Sequence, residues 1–192
     1  MKEYQTYIFD LDGTLLNTIR DLAASVNYAL RSTGMAERTL EEVREFVGNG
    51  VKKLMERAVP GGLDNPQFEA AYATFRQYYL HHSLDTTAPY PGIEKLLSEL
   101  RRRGKRVAIV SSERKDIRKK PAPDTVLEAM RQLGVEAEGA VYIGDSDVDI
   151  ETARNCSIPC ISVLWGFRDH DFLLRHGATC LVSRPEEIVP EE

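Results

Sequence analysis

The sequence predicts a doubly wound parallel α/β sheet carrying an inserted helical cap. Two observations predict the fold: apolar runs of strand length alternate with amphipathic helical patterns, and one long interval holds helical patterns alone. A third places the site. Three of the apolar runs end in polar residues, Asp10, Ser111 and Asp145, and in such sheets ligands bind at the carboxyl ends of the strands.

Taken in order, the first run is "TYIFD", followed much later by "RVAIVS", "AVYIGD" and "CISVLW", with a weaker fifth in "CLVS". Continuous apolar runs of this kind fit parallel strands buried on both faces. Helices separate them. In "GIEKLLSELRRRG", Ile93, Leu96, Leu97 and Leu100 share one face and Gly104 can stop the helix. "APDTVLEAMRQLG" repeats the pattern, with Asp124 expected as N-cap and Gly134 as the stop. From about Leu16 to Thr87 the helical patterns are Thr18–Thr33, Leu40–Val47, Val51–Ala58 and Pro66–His82. The chain then returns through "APYPG", stiffened by Pro89 and Pro91. The expected division is therefore an α/β core of residues 1–15 and 88–192 with a helical cap of residues 16–87.

Composition excludes several classes. A hydrophobic share of 42% and a charged share of 29% are those of a soluble globular protein. The net charge of −5 gives no reason to expect nucleic acid or an anionic membrane as partner. No apolar stretch approaches the ~18–20 residues of a membrane span. The opening "MKEYQTYIFD" has no secretory apolar region, so a cytoplasmic location is expected. Cys156, Cys160 and Cys180 fit no metal spacing and read as reduced thiols.

The segment "YIFDLDGTLLNT" sets Asp10 and Asp12 straight after an apolar strand. Two carboxylates there repel each other unless something positive holds them. In an extended segment residues two apart point the same way, so both face one side of the strand end. Gly13 lets the chain turn sharply after them.

"DLDGT" is followed downstream by "KKPAPD" and "GDSDVD", and in this order the motifs resemble the haloacid dehalogenase superfamily of phosphohydrolases. The resemblance covers nearly the whole chain. It extends to the phosphoglycolate phosphatase-like members through "VGNG", "GDSDVDIETARNC", "WGFR" and "HGATCLVSRPEEI". It implies a phosphatase of small phosphorylated metabolites, with Asp10 as nucleophile, Asp12 as acid and base, and an aspartyl-phosphate between two half-reactions. Mg²⁺ is the implied cofactor, bound by Asp10, the backbone carbonyl of Asp12 and Asp145. Ser111, with Ser112 beside it, matches the element that holds the transferring phosphoryl group, although relatives often carry Asn where Ser112 stands. Lys120 matches the lysine that steadies the negative charge, and Asp149 is expected to orient metal waters or Lys120. Gly48, Asn49 and Gly50 are implied to choose the substrate. Phosphoglycolate leads, and pyrophosphatase, sugar-phosphate mutase or a crippled phosphate-binding member are the rivals.

Other residues have plainer readings. Asp147 reads as a cap or turn residue, Trp165 and Phe167 as packing, His81 and His82 as a solvated helix end. One departure from the family is large. Only "SERKDIR" separates Ser111–Ser112 from Lys119–Lys120, where relatives have a helix and a further strand. One α/β unit is therefore expected to be missing, leaving the "RVAIVS" strand at an open edge. A homodimer formed across that edge, or reduced stability, is the corresponding expectation. So is a mobile loop over Glu113–Lys119, from which Lys120 strays and weakens catalysis.

Overall fold

The computed structural model describes residues 2–111 and 118–189. The chain divides into two compact units, Met1–Leu16 with Pro89–Glu192, and Asn17–Ala88. The chain passes between them twice, through the short strands β2 (Leu16–Asn17) and β3 (Ala88–Pro89), which pair with each other.

The first unit is built on five parallel strands. They are β1 (Thr6–Phe9), β4 (Arg106–Ile109), β5 (Ala140–Gly144), β6 (Cys160–Val163) and β7 (Leu181–Val182), in the order β4-β1-β5-β6-β7. Strand parity divides the core into two layers. Tyr7, Phe9, Val141 and Ile143 pack against Ile93, Leu96 and Leu100 of α5 (Ile93–Arg102). Ile8, Ala140 and Tyr142 face the other way, onto Val126 and Met130 of α6 (Asp124–Leu133) and Ala153 of α7 (Asp147–Asn155). A last helix, α8 (His170–Arg175), adds the buried Leu173 beside Ile150. Each buried side chain of this size contributes about 1.5–3 kcal/mol. The sheet therefore holds the ends of β1 and β5 rigidly.

At α6 the N-cap is Pro123, and Asp124 is the first helical residue rather than the cap. Its carboxylate instead meets Arg118 at 2.9 Å. Gly134 ends the helix in the left-handed conformation, at φ 60°. Among the described residues β4 pairs only with β1, so it lies at the sheet margin. Of the loop expected over Glu113–Lys119, residues Glu113 to Ile117 lie outside the described residues.

The second unit is helical: α1 (Ile19–Ser32), α2 (Leu40–Phe46), α3 (Val51–Ala58) and α4 (Phe68–His82). Thr39 and Glu42 form a capping box that starts α2. The neck of this unit is tied by Asp21, which is 2% exposed. Its carboxylate accepts from the backbone N–H and the hydroxyl of both Thr86 and Thr87, at 2.5 to 3.0 Å. His82 pairs with Asp85 at 2.7 Å on an exposed turn, and Arg102 and Arg103 pair with Glu99.

Candidate active site

The register Phe9↔Ile143 carries on one step, and the Asp10 N–H donates to the Ile143 carbonyl at 2.9 Å. Asp10 therefore keeps the sheet's alternation and stands on the same face as Ile8 and Tyr142. It meets Lys120 there. Lys120 Nζ lies 2.6 Å from Asp10 Oδ1, 2.7 Å from Asp149 Oδ1 and 3.2 Å from the Tyr142 hydroxyl. Lys120 is thus placed beside Asp10, which removes the ground for expecting weakened catalysis from the short connection.

Asp149 is anchored from every side. Oδ1 takes Lys120 and the Tyr142 hydroxyl, while Oδ2 takes the N–H groups of Asp145 and Ser146 and the Ser146 hydroxyl. A carboxylate offers about four acceptor positions, so none is left for another ligand. Ser146 is also the N-cap of α7, with Asp149 completing a capping box. Asp147 opens that helix as its first residue.

Asp145 is held from two other loops. The Thr14 hydroxyl donates to Oδ1 at 3.3 Å and the Phe167 N–H to Oδ2 at 2.7 Å. Trp165 Nε1 donates to the Thr14 carbonyl at 2.9 Å, tying the two loops together. Trp165 and Phe167 are therefore more than packing residues. Gly166 is forced by this approach: a Cβ there would lie 2.2 Å from the Asp145 Cβ. Gly13, at φ +84°, turns the chain as the sequence suggested.

One oxygen from each of Asp10, Asp145 and Asp149 lies within 4.8 Å of the others. Three buried carboxylates face one ammonium. Burial pushes the Asp10 carboxyl up to about 7, with the charges of Asp149 and Asp12 adding to it and Lys120 opposing. Burial, then Asp149 and Asp10, push Asp145 up as well. Burial works against the Lys120 ammonium, but Asp10 and Asp149 outweigh it and hold its pKa well above the ordinary value. A divalent cation relieves this excess of negative charge, and hard oxygen donors suit it. The residues fit such an ion. Asp10 and Asp145 are its candidate side-chain ligands, because Asp149 is fully used by its donors and Asp12 adds no side chain to the cluster.

Ser111 follows β4, one residue beyond the level of Asp10, since the Val110 N–H donates to the Phe9 carbonyl. It lines a groove of about 410 Å³ with Ile109, Val110, Thr125, Glu128, Ala129 and Gln132. Ser112 lies outside the described residues. Gly48, Asn49 and Gly50 form the turn between α2 and α3, where Asn49 Oδ1 accepts from Arg57 at 2.8 Å. The three cysteines are free, and burial pushes the Cys156 thiol up to about 11.

Sequence reasoning missed Tyr142, Thr14, Ser146 and the Phe167 N–H. A signal existed for the first: a tyrosine inside an aliphatic buried strand needs a partner for its hydroxyl.

The haloacid dehalogenase-like hydrolase family matches residues 4–157. A phosphoglycolate phosphatase of Aquifex aeolicus is 30% identical over 212 residues, covering 95% of this chain and 93% of that protein. One from Pseudomonas putida is 31% identical, covering 96% of this chain and 75% of its own. A crystal structure from Lactobacillus delbrueckii subsp. bulgaricus, 34% identical over 97% of each chain, superposes with a TM-score of 0.92. The Aquifex match spans 212 positions while using 95% of these 192 residues, so about thirty positions have no counterpart here. Among the described residues no helix is long and apolar enough to cross a membrane. Sheet order, strand-end acids and relatives thus converge: the chain belongs to the haloacid dehalogenase-like hydrolases and is an enzyme of their phosphatase kind.

Proposed function

We propose that the protein hydrolyses the phosphate monoester of a small metabolite, phosphoglycolate first among candidates, with Mg²⁺ bound at Asp10, the Asp12 carbonyl and Asp145. The placement of Asp10 carries this reading. Lys120 holds its Oδ1, while Oδ2 takes no hydrogen bond among the described residues and is free to react. The names of the relatives support the choice of substrate.

Asp10 attacks phosphorus, the bond from phosphorus to the leaving oxygen breaks, and Asp12 gives that oxygen its proton. The resulting aspartyl-phosphate is opened by water, whose proton Asp12 takes as the Asp10–phosphorus bond breaks. Such acid–base help is worth roughly 10²–10⁴-fold. Lys120 and Ser111 steady the phosphoryl charge throughout. Bound Mg²⁺ would neutralise the carboxylates and the phosphoryl oxygens. The helical unit serves as a cap that excludes water, and its Gly48–Asn49–Gly50 turn selects the substrate.

A panel of phosphometabolites assayed with and without Mg²⁺ tests the reading, with phosphoglycolate expected to lead. A thiophosphate ester made chiral at phosphorus with oxygen isotopes should also be hydrolysed with overall retention of configuration, the result of two successive displacements. Inversion at phosphorus would sink the covalent route.

A further inference from the structure

Lys120 enters the site with no donor to spare. An ammonium has three N–H groups, and all three are engaged, by Asp10, Asp149 and the Tyr142 hydroxyl. The side chain is only 7% exposed, so water offers little substitute. A lysine that is to steady an arriving phosphoryl oxygen must first let one partner go.

The three partners are unequal. The bonds to Asp10 and Asp149 are short and charge-assisted, at 2.6 and 2.7 Å. Both join opposite charges, which makes them the stronger of the three. The bond to Tyr142 is longer, at 3.2 Å, and ends on a neutral phenol. Burial holds that phenol well above its ordinary pKa, against the pull of Lys120. It is the cheapest bond to exchange.

Tyr142 also tolerates the exchange. Its hydroxyl donates to Asp149 Oδ1 at 3.1 Å, so it stays hydrogen-bonded when Lys120 turns away. Its ring is fully buried in the layer formed with Ile8 and Val126, which fixes where the hydroxyl stands. An unpartnered buried hydroxyl would cost far more than the bond it gives up. Register completes the arrangement: Tyr142 lies opposite Ile8 on β1, two residues before Asp10 on the same face.

We propose that Tyr142 is a positioning residue whose hydroxyl holds the third N–H of Lys120 in the free enzyme and surrenders it to a phosphoryl oxygen on binding. The inference rests on the phosphatase reading, in which Lys120 meets the phosphoryl group. Tyr142 itself touches neither substrate nor phosphorus. It sets how much an incoming anion must displace.

The test is Tyr142→Phe, which keeps the ring and removes the oxygen, titrated with inorganic phosphate in the presence of Mg²⁺. In the variant the third N–H is unpartnered until the anion arrives, so the exchange cost disappears. Inhibition by phosphate should tighten by roughly two- to tenfold, the factor corresponding to the net worth of one intramolecular hydrogen bond. KM should fall in the same direction, with no proportional gain in kcat. The melting temperature without phosphate should be lower than in the parent, and its rise on adding phosphate larger. Tyr142→Leu, which removes the same oxygen by a different route, should move phosphate affinity the same way.

Unchanged or weaker phosphate binding in both variants, alongside lower stability, would overturn the inference and leave Tyr142 a structural residue. Failure of the underlying reading looks different: the parent enzyme would turn over no phosphate ester, or Lys120→Met would retain full activity.

Discussion

Lys120 Nζ stands 2.6 Å from Asp10 Oδ1 across 110 residues of chain. The pair is buried, so it is strong only while both members are present. Breaking a buried pair by removing one partner costs about 3–5 kcal/mol, because the other charge is left uncompensated. Lys120→Met should therefore destabilise the metal-free protein by about that amount, read from denaturant unfolding. A loss below about 1 kcal/mol would mean that Asp10 and Asp149 do not depend on the ammonium.

Asp10→Asn should abolish turnover and leave the fold standing. The amide keeps the shape and an acceptor for Lys120, and it removes one of three crowded carboxylates. Near-ultraviolet circular dichroism checks the fold, and the rate on p-nitrophenyl phosphate checks the chemistry. Residual turnover above about one part in 10² would argue against Asp10 as the nucleophile.

Gly166→Ala should weaken metal binding as well as the fold. The new methyl group enters the space of the Asp145 side chain and pulls it off the donors Thr14 and Phe167. Disturbing the groups that orient a ligand lowers metal affinity by about 10–100-fold. Calorimetric titration with Mg²⁺ measures this directly. Unchanged affinity would show that Asp145 needs no such bracing.

Acid should loosen the helical unit at Asp21. Burial raises that carboxyl, but the four donors from Thr86 and Thr87 outweigh it and hold its pKa below the ordinary value. A folded pKa below the unfolded one gives stability that is complete above the unfolded value, about 3.9, and is lost as pH falls through the folded one. Asp21→Asn should cost about 2 kcal/mol at neutral pH, as expected for hydrogen bonds to a charged group, and flatten the acid limb of the stability curve. An acid limb as steep as the parent's would place the sensitivity elsewhere.

Asn49→Ala should change which substrate is preferred. It frees Arg57 Nη2 from Asn49 Oδ1 in the α2–α3 turn. The order of rates across a panel of phosphate esters should shift, with a small aryl phosphate affected least. A uniform loss on every ester would make the turn merely structural.

Much of this was legible in the sequence, for a physical reason. Strands buried on both faces seldom hold a charged residue along their length, so Asp10 and Asp145 stand out at the ends of apolar runs. Helix limits came through because Gly134 and the Val51–Ala58 pattern are local features. Partnerships across the sheet did not. That Thr14 and the Phe167 N–H meet on Asp145 depends on two loops far apart in the chain. Tyr142 was passed over as one more apolar strand residue, although its place opposite Ile8 follows from register alone. Asp124 was misread as a cap because Pro123 can occupy that position without needing a side-chain bond.

The position of β4 at the sheet margin has a bearing on how much chain this chemistry requires. Asp10, Tyr142, Asp145 and Asp149 all ride on β1, β5 and the helix that follows β5, and Lys120 reaches them from the crossover between β4 and β5. Material beyond β4 would lie on the far side of a strand that, among the described residues, supplies none of these four side chains. That flank is the verge of the machine rather than its frame. Lineages or designers can trim it or graft onto it, and the acid–lysine knot at the centre keeps its footing.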